Sequence, residues 1–439
     1  MTKGVRRDRT DHTHPVGTHR SPSADASVPD APHHREHRKT PHQSSAVTWD
    51  QARAYAYSAA LPCPAVRVAL ADALGERLAR PLTALSAMPA FDTAAMDGFA
   101  VCGLDTQRWT IVGRLRADAA DQDMDLAPGQ AVEIATGAAL PRGASAVLPY
   151  EHTQREANSV ITVGATRRAL EPRQHIRHRG EEYEAGDVLL PVRTELTAMA
   201  LGLAAAAGHD TLEVMGRPCV RALVTGDELI TSGLPGRGRV RDATGPQLPG
   251  LVAWAGGRLT SVRHVSDSLD ALVGEFDRAT EELVIVSGSS SVGPVDHLQA
   301  ALRRLGAEPL VTSVACRPGH PQSLHQLPDG RLIAGLPGNP LAALVGFLTL
   351  VVPAIQGARG LPLPPLPRVG NGGITSHPTM TRLVPVQVRD GRAVPLPHGG
   401  SAMLRSVAQA DALAVMKPAA RPAEGAPLLA LPTAHNSSS

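Results

Sequence analysis

The chain has 439 residues, a formal net charge of +2, 43% hydrophobic residues and 3% aromatic residues. Because this length exceeds what one ordinary hydrophobic core can hold, several domains are expected. The near-neutral charge and sparse aromatic side chains exclude a basic nucleic-acid surface or an extended base-stacking platform as the main binding feature.

Residues 1–46 are rich in His, Arg, Pro and Ser and have no periodic apolar pattern, which is typical of a disordered tail. This segment also lacks the apolar core of a secretory signal. The apolar run at 196–208 is too short to span a bilayer. The sequence therefore predicts a cytoplasmic protein without membrane contact, and it assigns no role to the histidine-rich tail.

The first predicted element is a helix that begins after Thr48, a good N-cap, and ends near Ala60. Residues 86–170 then alternate short β-like runs with Gly, Pro and Asp turns, which predicts a small all-β insertion. A helix over 196–207 follows, and Gly208 ends it. The strands expected in the insertion are 109–112, 130–134, 146–149 and 160–163.

Strand-like and helix-like segments alternate between residues 217 and 350, which is the pattern of a doubly wound parallel sheet. We expect strands at 220–224, 259–265, 283–286 and 332–334, and helices at 247–255, 268–279, 295–305 and 341–350. Residues 361–367 form a proline-rich linker. Beyond it, Arg389-Asp390-Gly391-Arg392 predicts a hairpin turn in a small β domain.

Three of the predicted strands stop in loops of glycine, small hydroxyl residues and acids. These loops are Thr225-Gly226-Asp227-Glu228, Ser287-Gly288-Ser289-Ser290-Ser291-Val292-Gly293 and Leu336-Pro337-Gly338-Asn339-Pro340. Parallel strands end at one sheet edge, and glycine leaves backbone N–H groups free to hold anionic oxygens. Together, the loops predict one site for a phosphate-bearing ligand.

Taken singly, the acidic positions are ambiguous. Asp227 and Glu228 can orient a metal ion or polar substrate, or simply close a strand. Asp296 near a helix start can also offset the helix macrodipole. Asp97-Gly98 and Thr136 in the insertion are, by themselves, ordinary strand-end turns.

Eight segments, taken together and in this order, resemble the molybdopterin molybdenumtransferase family (MoeA type, related to the E domain of gephyrin). They are FDTAAMDGFAV, EIATGAALPRGASAVLPYE, IRHRGEEYEAGDVLL, VTGDEL, VRDATGPQL, VSGSSSVGPVDH, RPGHP and GLPGNPLAALVGF. The resemblance covers residues 47–432.

The resemblance implies a multidomain α/β plus β fold. Its parts would be a discontinuous domain I (47–85 and 171–216), a β-rich insertion as domain II (86–170), a pterin-binding α/β domain III (217–360) and a barrel-like β domain IV (361–432), with tails at 1–46 and 433–439.

The resemblance also implies a reaction. Family members insert molybdate into adenylylated molybdopterin and release AMP, with a divalent cation such as Mg²⁺. They act as homodimers whose site lies between domain III of one subunit and domain II of the other. A separate molybdopterin adenylyltransferase would supply the substrate, and molybdoenzymes would receive the product; the sequence does not distinguish molybdate from tungstate.

Carried over by matching motif, the implied site has three groups of residues. The catalytic residues would be Asp97, Thr136, Glu228, Asp267 and Asp296, of which Glu228, Asp267 and Asp296 would hold the metal ion. The substrate-binding residues would be Thr225, Gly226, Asp227, Ser287, Gly288, Ser291, Arg317, Pro318, Gly319, Pro337, Gly338, Asn339 and Pro340.

Several positions depart from the family pattern on the substrate-holding side. They are Ser289 for a glycine, Ser313 and His320 in a segment that usually carries lysines, Ala342 for a serine, and Pro385 for an arginine. An anionic substrate would lose one or two contacts of about 1–3 kcal/mol each. Two readings therefore remain: a divergent transferase, or a non-catalytic molybdopterin-binding or regulatory paralogue.

Overall fold

The computed structural model describes residues 46–115, 124–163, 170–288, 297–397 and 400–432. The predicted disordered tails, 1–46 and 433–439, lie outside this part of the chain except for Ala46. Three six-stranded sheets organise the described residues.

Helix α1 (Trp49–Ala59) begins where the sequence predicted. The Thr48 hydroxyl accepts a hydrogen bond from the Gln51 N–H, while the Gln51 side chain accepts one from the Thr48 N–H, which completes a capping box. The Trp49 indole donates to the Thr349 hydroxyl at 3.0 Å, and the buried Arg53 guanidinium donates to the Leu348 carbonyl at 2.9 Å. These bonds fix α1 against a later buried helix.

The β-rich insertion is confirmed as a six-stranded sheet of order β7-β4-β6-β5-β9-β8. Outside it, β1 pairs with β12 and β2 with β11, so segments on either side of the insertion join, and helix α2 (Ala198–Ala206) lies between β11 and β12. The strands up to this point are β1 (Val66–Ala69), β2 (Leu82–Thr83), β3 (Thr93–Ala94), β4 (Gly98–Val101), β5 (Arg108–Leu115), β6 (Gln130–Ile134), β7 (Ala146–Pro149), β8 (Thr153–Glu156), β9 (Ser159–Thr162), β10 (Ile176–Arg177), β11 (Val188–Leu190) and β12 (Thr211–Val214).

An α/β sheet follows, with strand order β16-β13-β17-β21-β20-β18. Its strands and the short ones between them are β13 (Cys219–Thr225), β14 (Leu229–Ile230), β15 (Val240–Arg241), β16 (Arg258–Val265), β17 (Leu283–Ser287), β18 (Glu308–Val311), β19 (Cys316–Arg317), β20 (Ser323–Gln326) and β21 (Leu332–Leu336). Its helices are α3 (Leu248–Trp254), α4 (Leu269–Arg278), α5 (His297–Arg304), α6 (Pro340–Gly346) and α7 (Val352–Ala358).

The four predicted strands are parallel, and the structure adds two strands at one edge, β20 and β18, that were not predicted. Strands β16, β13, β17 and β21 are parallel, but β20 is antiparallel to both β21 and β18. Strands β20 and β21 are joined by a short turn, in which Gly330 has φ +91°. A short turn can join only antiparallel neighbours, because parallel ones need a long crossover. The Pro328-Asp329-Gly330 turn signal was overlooked.

The helix predicted to end at residue 350 is longer than expected. Helix α6, a π-helical turn (Phe347–Val351) and α7 run on without a break. The segment Pro340–Ala358 is apolar and long enough to cross a membrane by length and composition, but 89% of its most apolar window is buried inside the protein. It is the core helix of this part of the fold, packed with α1 and α3 on one face of the sheet, while α4 and α5 cover the other.

The remaining strands form a closed barrel, as the sequence led us to expect. The barrel closes because β23 pairs with both β24 and β25, and β19 adds to it beside β23. Asp390 and Gly391 turn the β23–β24 hairpin with φ +50° and +71°, the conformation of a type I′ turn. The strands are β22 (Arg368–Asn371), β23 (Thr381–Arg389), β24 (Arg392–Pro395), β25 (Ala412–Met416) and β26 (Ala426–Ala430).

A buried histidine in β20 makes the fold sensitive to acid. His325 is 2% exposed and its Nδ1 has no hydrogen-bond partner among the described residues. Burial lowers the pKa of His325 from 6.5 to about 4. Below pH 6.5 the unfolded chain binds a proton at His325 more readily than the folded chain does. The free energy of unfolding is therefore fully retained above pH 6.5 and falls as the pH drops towards 4.

We expect His325→Leu to remove this sensitivity. Between pH 7 and pH 5 the wild-type chain should lose about 2 kcal/mol more unfolding free energy in urea than the variant. The exposed His152→Leu serves as control and should follow the wild type. Parallel pH dependence of wild type and His325→Leu would contradict the assignment.

Candidate functional site

The carboxyl ends of parallel strands meet at one edge of the α/β sheet. Val224 of β13 is opposite Ser287 of β17, and Ser287 is opposite Leu336 of β21. The loops that follow these residues therefore start side by side. The starts of the three glycine-rich loops lie together as the sequence predicted, while residues 289–296 of the second loop lie outside the described part of the chain.

Glycines allow the backbones of these loops to touch. Gly288 has φ +108°, and a Cβ there would lie 2.1 Å from the Thr225 carbonyl oxygen. A Cβ on Gly338 would lie 3.5 Å from the Gly288 Cα. The Thr225 hydroxyl donates to the Ser287 carbonyl at 3.2 Å, and the Gly288 N–H donates to the Leu336 carbonyl at 3.3 Å. The sheet edge is thus built from closely packed main chain.

Acidic side chains gather where β13 and β16 end. Gly226 has φ +137°, and a Cβ there would lie 3.0 Å from both carboxylate oxygens of Glu228, so Glu228 folds back over the loop. The Asp267 N–H donates to Asp227 Oδ1 at 3.5 Å, which brings the segment after β16 against the same loop. Asp227, Glu228 and Asp267 are all exposed and therefore accessible to a ligand or metal ion.

The segment Arg317-Pro318-Gly319 lies between the sheet and the barrel. Arg317 pairs with Arg382 of β23, and Gly319 has φ +99°. A Cβ on Gly319 would lie 3.3 Å from the Ala342 carbonyl, so this segment packs on α6, the helix that follows Asn339. The fully buried Gln322 donates from Nε2 to the Gly319 carbonyl at 2.8 Å. This turn is held rigidly beside the third glycine loop.

A cavity of about 490 Å³ separates this turn from the barrel. Arg317, Arg382, Pro385 and Ser401 line it. Pro385, the position at which the resemblance implies an arginine, brings no charge to the cavity. Arg382 lies on the opposite face of β23 and donates from Nη1 to the Thr375 carbonyl at 2.6 Å and to the Thr375 hydroxyl at 2.7 Å. The exposed Arg317 is therefore the cation that favours an anionic ligand in this lining.

The two unusual positions on either side of this turn, Ser313 and His320, make other contacts. His320 donates from Nδ1 to the Val314 carbonyl at 2.7 Å, and this bond holds the two ends of the turn together. Its side chain does not line the cavity. Ser313 accepts the Val47 N–H at its carbonyl, at 3.1 Å, and also lies away from the cavity lining.

Asp97 and Thr136 lie together in the β-rich sheet. Asp97 Oδ1 accepts the Thr136 N–H at 2.6 Å and the Thr136 hydroxyl at 2.9 Å. These backbone and side-chain hydrogen bonds from Thr136 hold the pKa of Asp97 below its usual value, so the fully exposed carboxylate stays ionised. No strand pairing among the described residues joins this sheet to the α/β sheet.

One pair at the sheet edge was missed by the sequence reading. The buried Asp242 accepts the Thr244 and Gly245 N–H groups, each at 2.9 Å, and its other oxygen lies 2.8 Å from Nε2 of His264 on β16. Asp242 thus ties the segment after Glu228 to the sheet. The two residues are 22 positions apart, so no local pattern marks them.

The donors of the acidic edge suit a hard cation. In the described parts of the chain, no three His, Cys, Asp or Glu side chains are grouped to hold a metal ion. Glu228 and Asp267 belong to the predicted metal set, while Asp296, like Ser291 and Ser289, lies outside the described residues. Mg²⁺ binds through one or two carboxylates together with substrate phosphate and water, so this oxygen-rich edge fits it.

Family models match three consecutive parts of the chain. The MoeA N-terminal region (domain I and II) matches residues 47–208, a probable molybdopterin binding domain matches 221–357, and the MoeA C-terminal region (domain IV) matches 371–431.

Named relatives and solved structures agree with these matches. The molybdopterin molybdenumtransferase of Bacillus subtilis (strain 168) is 34% identical over 300 residues, which are 66% of this chain and 69% of that protein. That of Staphylococcus aureus (strain Mu50) is 31% identical over 303 residues, 67% of this chain and 71% of that protein. A crystal structure of the molybdopterin biosynthesis MoeA protein from Pyrococcus horikosii superposes with a TM-score of 0.73 at 23% identity, over 88% of this chain and 97% of that one, which establishes the shared fold.

Proposed function

The chain belongs to the molybdopterin molybdenumtransferase family, and we infer that it is a transferase of molybdenum cofactor biosynthesis. It inserts molybdate into adenylylated molybdopterin and releases AMP. The observation that carries this function is the convergence of Thr225, Ser287-Gly288 and Leu336 at the end of three adjacent parallel strands.

The sheet edge supports a role in holding the phosphate of the pterin substrate. Gly226, Gly288 and Gly338 keep side chains away from the edge, so a ligand can approach the backbone closely. Backbone N–H groups preorganised at strand ends stabilise phosphate oxygens without further rearrangement. Pro337 and Pro340 stiffen the third loop around Gly338-Asn339.

The arginine-lined cavity supports a role in holding molybdate or another anionic part of the substrate. The exposed Arg317 lines the cavity, with Ser401 as a hydroxyl donor. The acids Asp227, Glu228 and Asp267 lie on the other flank of the edge, where direct contact with an oxyanion would be repulsive. We therefore propose that Arg317 binds the oxyanion and that the acids act through water or a metal ion.

We propose that Mg²⁺ is held by Glu228 and Asp267, with Asp296 as a third carboxylate. When bound, such an ion polarises the phosphoanhydride and offsets charge that develops on the leaving AMP. Glu228 folds back over the edge, and the hydrogen bond from the Asp267 N–H to Asp227 holds the backbone of Asp267 beside the same loop.

We also propose that the active unit is a homodimer. Asp97 and Thr136 match family site motifs, yet their described hydrogen bonds stay within the β-rich sheet. A second copy that brings its Asp97–Thr136 pair to the sheet edge would complete the site. The proposed setting is the cytoplasm, where a molybdopterin adenylyltransferase supplies the substrate and molybdoenzymes take the product.

The purified chain is expected to release AMP from adenylylated molybdopterin when molybdate and Mg²⁺ are supplied. Chromatography of the nucleotide product measures this release, and omission of molybdate is the control. Tight pterin binding without AMP release, with both present, would instead favour the non-catalytic binding paralogue.

A further inference from the structure

Tyr150 is held rigidly beside Asp97 with part of its surface open. It is 43% exposed, and its N–H donates to the Asp97 carbonyl at 3.3 Å. Its ring packs edge-to-face on the buried Phe99, with ring centroids 5.4 Å apart and an interplanar angle of 87°. Its hydroxyl donates to Glu133 Oε1 at 2.7 Å. The ring is therefore anchored at both ends.

The carboxylate of Glu133 contacts two arginines as well as the Tyr150 hydroxyl. Burial and the hydrogen bond to Glu133 raise the pKa of Tyr150 to about 12, so the phenol keeps its proton and remains a donor. Arg114 and Arg155 approach the same carboxylate at 3.7 and 3.5 Å, at the long end of ion-pair distances. Their side chains are 71% and 57% exposed. Both guanidinium groups can turn towards an incoming anion while Glu133 holds Tyr150.

These features fit a mononucleotide. An aromatic ring fixed in advance stacks on a heteroaromatic base at little entropic cost. The two exposed arginines suit a phosphate, and the ionised Asp97 carboxylate suits ribose hydroxyls, as acids do in nucleotide-binding folds. Only 3% of the residues are aromatic. We therefore expect one base to stack on one ring, rather than several bases on an extended platform.

Resting on the proposed function, we propose that the surface formed by Tyr150, Arg114, Arg155 and Asp97 binds the adenylate part of the substrate, with the adenine stacked on Tyr150. The glycine loops then hold the pterin end, so the two ends of one substrate meet different sheets. Adenine and pterin are both fused heteroaromatic rings linked to phosphate. The pterin ring is therefore the other part of the substrate that could stack on Tyr150.

Calorimetric titration of the full-length protein with AMP, adenosine and neopterin tests this proposal. Tyr150→Ala should weaken AMP and adenosine binding at least ten-fold and leave neopterin unchanged, whereas Tyr150→Phe and Tyr150→Trp should stay within three-fold of wild type. Arg114→Ala combined with Arg155→Ala should weaken AMP but not adenosine. Tyr55→Ala, which removes another exposed tyrosine (46% exposed), is the matched control and should bind as wild type.

Unchanged AMP binding by Tyr150→Ala, or a loss confined to neopterin, would overturn the proposal. A loss by Tyr150→Phe equal to that by Tyr150→Ala would also overturn it, because the hydroxyl rather than the ring would then matter. AMP release measured on the same samples separates the two ideas. A wild-type chain that turns over but binds AMP independently of Tyr150 refutes only this inference. One that shows the expected binding pattern without turnover refutes only the transferase activity.

Discussion

Replacing Glu228 with alanine is expected to lower AMP release by roughly 100- to 1000-fold, the scale of losing one electrostatic catalytic group. Its carboxylate folds over Gly226 at the end of β13, where the substrate phosphates and a metal ion would meet. Single-turnover AMP release at saturating molybdate is the measurement.

Two further variants make the Glu228 result interpretable. Glu228→Gln keeps the shape and removes the charge, so it should lose nearly as much activity as the alanine variant. The exposed Glu308, on the opposite edge of the same sheet, provides a control in Glu308→Ala, which should turn over normally. Turnover of Glu228→Ala within three-fold of wild type would remove this carboxylate from the mechanism.

Gly288→Ala is expected to cost roughly 3 kcal/mol of unfolding free energy and to abolish turnover, because it combines backbone strain with overpacking. The new Cβ would lie 2.1 Å from the Thr225 carbonyl oxygen, at a φ of +108°. Either the contact between β13 and β17 opens or the loop after β17 moves, and both disturb the sheet edge. Urea unfolding and AMP release measure the two effects.

A second glycine with a similar φ separates the effect of the steric clash at Gly288 from the effect of backbone strain. Gly373 has a similar φ of +101°, but a Cβ there would meet nothing within 4 Å. Gly373→Ala should therefore cost only the strain of positive φ, roughly 1 kcal/mol, and leave turnover intact. Equal losses for the two variants would mean that the approach of Gly288 to Thr225 is not tight.

In the proposed mechanism, the two flanks of the sheet edge have different tasks. Glu228 and Asp267 are exposed at the ends of β13 and β16, whereas Arg317 lines the cavity beside the barrel. Opposite charges on opposite flanks can orient a substrate that carries phosphate, molybdate and a metal ion. Arg382 does not replace the arginine missing at Pro385, because the two side chains lie on opposite faces of β23.

The local sequence pattern was sufficient to predict most helices, strands and turns. The N-cap at Thr48, the strands Gln130–Ile134 and Ala146–Pro149, and the turn at Asp390-Gly391 follow from neighbouring residues, and each is found where the sequence predicted. The convergence of the glycine loops also followed, because parallel strands with glycine at their carboxyl ends must expose those loops at one edge. The domain boundaries and the roles of the site residues remain predictions.

What failed in the sequence reading depended on packing between distant segments. The cavity beside Arg317 and the bond between Tyr150 and Glu133 join residues 17 or more positions apart, and the helix that runs on to Ala358 continues past a local breaker, Pro353. The antiparallel β20 is different, because it pairs with β21 across a short local turn. Hydrophobic periodicity reports which face of an element is buried, but not which element covers it. The sequence by itself thus determined most of the elements, the family and the acidic site residues. Only the tertiary structure decided that Arg317 lines a cavity beside the barrel and that the ring of Tyr150 lies next to Asp97.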